Sequence, residues 1–375
     1  MDGAVVHGVD GTLKCMLSRP LLIRIPLLLA VLLTSACSTV SYYSQAIGGH
    51  LRLMQSRESI EKLLSSEDTD ETLRQQLQTL VDARVYAVEE LGLPDNDSYS
   101  SYAATGRDAV TWNVVAAEEF SLVPQTWCFP VAGCVSYRGY FDRKDAQRYA
   151  DTLKDKNFDV TIGGASAYST LGWFDDPVLD TMLRGGDIRF VGTLFHELAH
   201  QVLYVKDDSN FNEAFATFVE QHGTRRWLNS RGESARIGAY DAYLQRNEDF
   251  VKLLQTTRAE LETLYQQSLE ESAKREAKQA VFDGMRENYV ALKDSWDSYS
   301  GYDNWFSRDL NNARLLAVAT YQRYVPAFAA LYVEAGEDLD AFYALAKEVS
   351  ELPSEERTRR MDAYLDDVSV DGSAS

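Results

Sequence analysis

The spacing of apolar residues changes twice along the chain. Leu73, Leu77, Leu80, Val81, Val85 and Val88 fall on one stripe of a 3.6-residue repeat, which predicts a helix. Asp70 stands where its N-cap belongs, and Gly92 with Pro94 makes a stop signal. Residues 38–93 therefore read as largely helical, and the polar, Ser/Tyr-rich stretch 95–107 reads as a loop. Four short runs follow, at 111–117, 126–131, 135–141 and 158–165, rich in β-branched and aromatic residues. A helical stretch at 142–156 separates the last two, so a small mixed sheet crossed by one helix is expected. From 187 the helical period returns: 190–204, 212–227, one or two long amphipathic helices in 240–296, and another at 308–332.

The expected class is α+β with a helical majority. The divisions are a leader at 1–36, a helical segment at 37–110, a mixed core at 111–230, a helical region at 231–367 and a disordered tail at 368–375. With 37 basic against 57 acidic residues the net charge is −20, which excludes nucleic acid as a partner because phosphate binding needs a basic surface. The same balance opposes a broad electrostatic grip on anionic lipid. The many charges in 240–296 read as a solvated helix face.

Lys14, Arg19 and Arg24 precede an apolar run over 25–36. That run is too short to span roughly 30 Å of hydrocarbon as a helix. It fits the apolar region of a secretory signal. The ending Leu33-Thr34-Ser35-Ala36-Cys37 resembles a bacterial lipoprotein signal, in which Cys37 is lipidated. That resemblance implies a lipid anchor in the cell envelope, facing the periplasm. An ordinary cleaved signal and an uncleaved anchor are the alternatives. Cys128 and Cys134 then remain as a pair in an oxidising compartment. Pro130 and Gly133 let the segment between them turn, so a disulfide is favoured over two free thiols.

The candidate chemistry lies in His196-Glu197-Leu198-Ala199-His200, within a stretch whose apolar residues keep helical spacing. Histidines four apart share a helix face and can hold one zinc ion. Glu197 is rotated away from that face and suits a general base acting on metal-activated water. Asn212-Glu213-Ala214 follows after a polar turn. Glu213 is the favoured third ligand, because its helix must pack on the first one; Asp207 and Asp208 compete with it. Glu220 shares a face with Glu213 and is placed to accept the spare N–H of a ligand histidine, or else is surface charge. His222, beside Gly223, reads as a histidine at a helix C-terminus.

His196-Glu197-x-x-His200 with Asn212-Glu213-Ala214 resembles the zincin metallopeptidases that use glutamate as third ligand. Thermolysin-like enzymes carry the same Asn-Glu-Ala wording after a longer gap. Tyr42-Tyr43-Ser44-Gln45-Ala46, the segment Ala167-Tyr168-Ser169-Thr170-Leu171-Gly172-Trp173-Phe174, the histidine motif and Asn311-Asn312-Ala313 together resemble an aminopeptidase family of proteobacterial lipoproteins, over roughly 37–350. The resemblance implies zincin-like active-site helices beside the sheet, one Zn2+ per chain and a peptide substrate. Zincins hold substrate along a sheet edge, a role assigned here to the segment around Ala165 and Tyr168. Glu220 and Asp303 are the candidates for holding a substrate ammonium. The rival readings are an envelope scaffold lipoprotein that binds zinc without catalysis, with an envelope protein as partner, and a zinc endopeptidase.

Overall fold

The computed structural model describes residues 40–129, 133–170, 172–319 and 323–371. Cys37 and the leader lie outside them. The chain forms two compact units, Met1–His50 and Leu51–Ser375. The first is described only over 40–50, which is helical; that helix, α1, runs over 40–55. Everything below concerns the second unit. Among the described residues no helix is long and apolar enough to cross a membrane.

A two-residue strand, β1 (Glu58–Ser59), leads into α2 (Ile60–Ser65) and α3 (Glu71–Leu91). Asp70 caps α3 by accepting from the Thr72 and Leu73 N–H groups, and Gly92 ends it in the left-handed region at φ 64°. The stretch read as loop contains β2 (Ser101–Ala103), which pairs antiparallel with β1 and parallel with β8 (Val178–Leu179). Strands this short hold too few residues for an alternation to stand out.

The second sheet has the order β6-β3-β7, from β3 (Thr111–Glu118), β6 (Arg138–Tyr140) and β7 (Phe158–Ala165). Both pairings are antiparallel, and β7 runs along β3 from Thr111↔Ala165 to Glu118↔Phe158, leaving its other side as an edge. The helix α4 (Arg143–Lys154) packs across β3 and β7. The expected single mixed sheet is thus divided. The run at 126–131 supplies β4 (Trp127–Phe129), which pairs with β5 (Gly133–Val135) as a separate hairpin. Cys128 and Cys134 face each other there and form a disulfide.

Two adjacent helices, α5 (Asp187–Val202) and α6 (Ser209–Ser230), pack closely on each other. The helix α6 starts before Asn212 and continues past His222, so the reading of Gly223 as a stop is corrected. Gly223 is buried in mid-helix, where a Cβ would meet Leu91 Cδ1 at 2.7 Å and Phe195 Cδ2 at 3.1 Å. Glycine is there to let α3 and α5 approach. The rest is helical: α7 (Ser234–Tyr265), α8 (Glu271–Ser295), α9 (Asp303–Phe306), α10 (Asn312–Ala319), α11 (Val325–Glu334), α12 (Leu339–Ser350) and α13 (Ser354–Asp371). The single helix expected at 308–332 is two, because Pro326 sits in the first turn of α11 and cannot donate a helical hydrogen bond. The helix α13 reaches Asp371, into the stretch read as a tail; residues 372–375 are outside the described set.

Two hydrophobic clusters hold these elements. One joins α3, α5 and α6 to α11, α12 and α13 through side chains such as Phe195, Phe215, Phe328 and Phe342. The other joins α7, α8 and α10 to the end of β3, with Phe250, Phe282, Leu315 and Ala117. Asn312 is fully buried at that seam. Its amide donates to the carbonyls of Glu118, Glu119 and Ser121, and its oxygen accepts from Tyr265. The C-terminal helices are therefore built into the sheet and do not stand apart from it.

Candidate metal centre

The face of α5 carrying His196 and His200 looks onto the start of α6. Glu213 Oε2 lies 3.4 Å from His196 Nε2, and Glu213 Oε1 lies 3.7 Å from His200 Nε2. One ligand atom from each residue falls within 4.8 Å of the others. Asp207 and Asp208, the competing candidates, are engaged elsewhere. Asp207 Oδ1 accepts from the Cys134 N–H, and Asp208 caps α6 by accepting from the Phe211 N–H.

The short connection between the helices is closed by Asn212. The Val205 N–H donates to Asn212 Oδ1 and Asn212 Nδ2 donates to the Val205 carbonyl, both at 2.7 Å. Asn212 is only 1% exposed. This pairing turns the chain tightly enough for Glu213 to reach back after so few residues. Two further ties hold the same connection. Asp207 binds the disulfide hairpin, and Asp208 Oδ2 pairs with Arg357 of α13 at 2.8 Å.

Behind the cluster, Glu220 Oε2 lies 3.0 Å from His196 Nδ1. A Cβ on Gly192 would sit 3.2 Å from Glu220 Oε1, so the bare backbone there makes room for the carboxylate. Burial opposes a charge on His196. The carboxylates of Glu213 and Glu220 outweigh it and hold its pKa well above the usual 6.5. His200 goes the other way, to about 4, through burial and the neighbouring His196 cation. Burial pushes Glu213 up, but the hydrogen bond and charge of His196 and the charge of His200 leave it below its ordinary value.

Glu197 is half-buried on the adjoining side of α5. Burial lifts its pKa to about 7; the His196 charge works against this and the carboxylates of Glu213, Asp176 and Glu220 add to it. Tyr99 and Asp176, which the sequence pattern does not single out, lie close enough to Glu197 to feel its charge. Tyr99 holds a left-handed backbone at φ 61°, is 1% exposed, and donates its N–H to the Asp176 carbonyl at 2.7 Å. Asp176 Oδ2 accepts from the Thr170 N–H and hydroxyl, while Oδ1 is buried with no partner. The nearest hint in the sequence is Asp-Pro at 176–177, which marks only a turn.

The remaining candidates have partners of their own. Ala165 ends β7, and its carbonyl accepts from the Val110 N–H. Tyr168 packs its ring on Phe141 at 5.3 Å and joins the core. Asp303 accepts from Tyr289 and pairs with Lys293 at 2.7 Å. Cys37 is outside the described residues.

The ligand atoms suit a small divalent cation. Two ligands at about 2.0–2.1 Å from a tetrahedral zinc stand roughly 3.3 Å apart. The observed 3.4 Å and 3.7 Å separations, to the two oxygens of Glu213, are near that value, and one donor atom from each residue lies within 4.8 Å of the others. The donor set of two imidazoles and one carboxylate is one of the sets used by catalytic zinc sites.

A family model described as "Putative aminopeptidase" matches residues 41–361. The chain belongs to this family. No curated protein and no solved structure matches it. The family match spans α1 through most of α13, so in this aminopeptidase family member it takes in the ligand cluster, the Asn212 closure and the Arg357 tie together.

Proposed function

We propose that this chain is a zinc-dependent peptidase, an aminopeptidase that removes residues from the free N-termini of peptides. The observation that carries the reading is the convergence of His196, His200 and Glu213, with a carboxyl at Glu197 held near neutrality beside them. A site that only stored a metal would need the ligands and no such base.

His196 Nε2, His200 Nε2 and the Glu213 carboxylate would hold the ion. When bound, zinc supplies Lewis acidity and lowers the pKa of water. Glu220 accepts the other N–H of His196, which fixes the ring and its tautomer. Glu197, poised near pH 7, takes the proton from the attacking water and passes it to the departing amine. The outer edge of β7, apart from the Val160 carbonyl that accepts from Asn311, offers backbone groups along which an extended peptide can lie. We place the enzyme in the bacterial envelope, anchored by lipid on Cys37 and facing the periplasm.

The test is digestion of a mixed peptide library by the zinc-loaded chain, with Glu197→Gln as control and mass spectrometry to read the cuts. Loss of single N-terminal residues, absent in the control and stopped by a chelator, is expected. Internal cuts with the same controls would make it an endopeptidase. No cuts from a chain holding one zinc would leave a zinc-binding scaffold.

A further inference from the structure

Trp173 is 70% exposed and Phe174 54%, more than any other tryptophan or phenylalanine among the described residues. They sit on the loop between β7 and β8, in a segment whose other aromatic, Tyr168, joins the core. The loop is closed at its neck. The Thr170 N–H and hydroxyl both donate to Asp176 Oδ2, at 2.6 Å and 2.9 Å, and the Phe174 N–H donates to the Thr170 hydroxyl oxygen at 3.1 Å. Asp176 is fully buried, so the two ends of the loop meet on a carboxylate inside the protein. Arg57 Nη1 holds the Asp175 carbonyl at 2.8 Å, and the Thr181 hydroxyl donates to the Ser166 carbonyl.

The tip lies against the helix that carries both histidines. Gly172, beside Trp173, holds a left-handed backbone at φ 78°, and a Cβ there would lie 3.7 Å from the Gln201 side chain. Gln201 directly follows His200 and stands four residues after Glu197 on α5, so it shares the Glu197 face. Gln201 is itself held. Its Oε1 accepts from Asn96 Nδ2 at 2.7 Å, and its Nε2 donates to the Ser98 hydroxyl at 3.3 Å. The aromatic tip is thus seated on α5 at the Glu197 side of the ligand cluster. A loop fixed at neck and tip, holding apolar rings out in water beside a candidate reactive centre, is placed to touch what binds there.

We infer that Trp173 and Phe174 form an apolar wall for a side chain of the peptide substrate next to the cut bond, and so set a preference for bulky apolar residues there. The inference rests on the peptidase reading above and narrows its substrate class. Aromatic rings have few rotatable bonds, so they cover a ligand side chain with little loss of conformational freedom. Burying a leucine-sized side chain is worth about tenfold or more in affinity, and serine gains almost none of it. The contact through Gln201 is what selects a substrate side chain over a lipid surface as the occupant.

The test uses tetrapeptides that differ only in leucine, phenylalanine, alanine or serine at the first or second position. Binding to the zinc-loaded full chain carrying Glu197→Gln is read by calorimetry, and hydrolysis by the unsubstituted chain is followed separately. Leucine and phenylalanine are expected to bind about tenfold or more tighter than serine at one of the two positions. Adding Trp173→Ser is expected to erase that preference while leaving the serine peptide's affinity and the melting temperature in place, and Trp173→Phe to keep most of it. No binding of any peptide, equal binding of all, or a preference that survives both Trp173→Ser and Phe174→Ser would each overturn the contact. Binding to phosphatidylcholine vesicles that Trp173→Ser abolishes, with peptide affinities unchanged, would reassign the tip to a lipid surface. A chain that shows the preference yet cuts nothing would sink the peptidase reading and leave the contact standing; cutting without the preference would do the reverse.

Discussion

Asn212 grips Val205 by both backbone groups, at 2.7 Å each, and so sets where its neighbour Glu213 can reach. The wording Asn-Glu-Ala therefore has a physical meaning here: one residue turns the chain and the next reaches back to the two histidines. Replacing Asn212 with alanine removes both bonds. A loss of about 1–3 kcal/mol is expected, measured by denaturant unfolding of the metal-free chain. Zinc affinity should fall at least tenfold, because Glu213 loses its fixed position. Unchanged zinc binding in a destabilised variant would separate the two roles and refute the second.

Zinc binding should release protons. His196 carries a proton near neutrality in the metal-free site because Glu213 and Glu220 favour its charge over the cost of burial, and a ligand nitrogen must be bare. Affinity should therefore weaken steadily as pH falls from 8 to 5. Calorimetry in buffers of different ionisation enthalpy should report about one proton released per zinc at pH 7. No buffer dependence would mean that His196 is already neutral.

Glu220→Gln keeps the shape of the side chain but weakens its hold on His196 Nδ1, 3.0 Å away. Loss of such a support typically costs about 10- to 100-fold in metal affinity. Competition with a fluorescent chelator measures it. An effect below threefold would return Glu220 to the role of surface charge.

Asp176 should make the chain less stable as pH rises. Burial lifts its folded pKa from 3.8 to about 6, against the hydrogen bonds from Thr170. Between those values the folded state holds the proton more tightly than the unfolded one. Stability is then greatest below about pH 4, falls as pH rises toward 6 and is flat above. Asp176→Asn lacks this dependence. Its stability relative to the unsubstituted chain should improve by about 1–3 kcal/mol between pH 4 and pH 6. A pH-independent difference would show that Asp176 titrates normally.

The sequence revealed parts of this molecule unevenly, for reasons of range. Asp70, Gly92 and the limits of β7 could be read because caps and strand alternation act within a few residues. His196 and His200 could be read because helical geometry alone places them together. Glu213 needed the packing of α6 on α5, and only the motif wording hinted at the Asn212 closure. Tyr99 and Asp176 carried no signal, since they meet each other across more than seventy residues of chain. Gly223 misled because a glycine that lets helices touch looks the same in sequence as one that ends a helix.

Asp208 begins α6 with one oxygen and holds Arg357 with the other. The three candidate ligands all lie at or before residue 213, yet one of the ties that fixes their connection comes from the last helix. That tie joins residues 149 apart in sequence, so the turn is fully held only when the last helix is docked. A chain that ends before Arg357 keeps every candidate ligand and loses one of the ties on the turn between them, so a truncation far from the site in sequence reaches it in space.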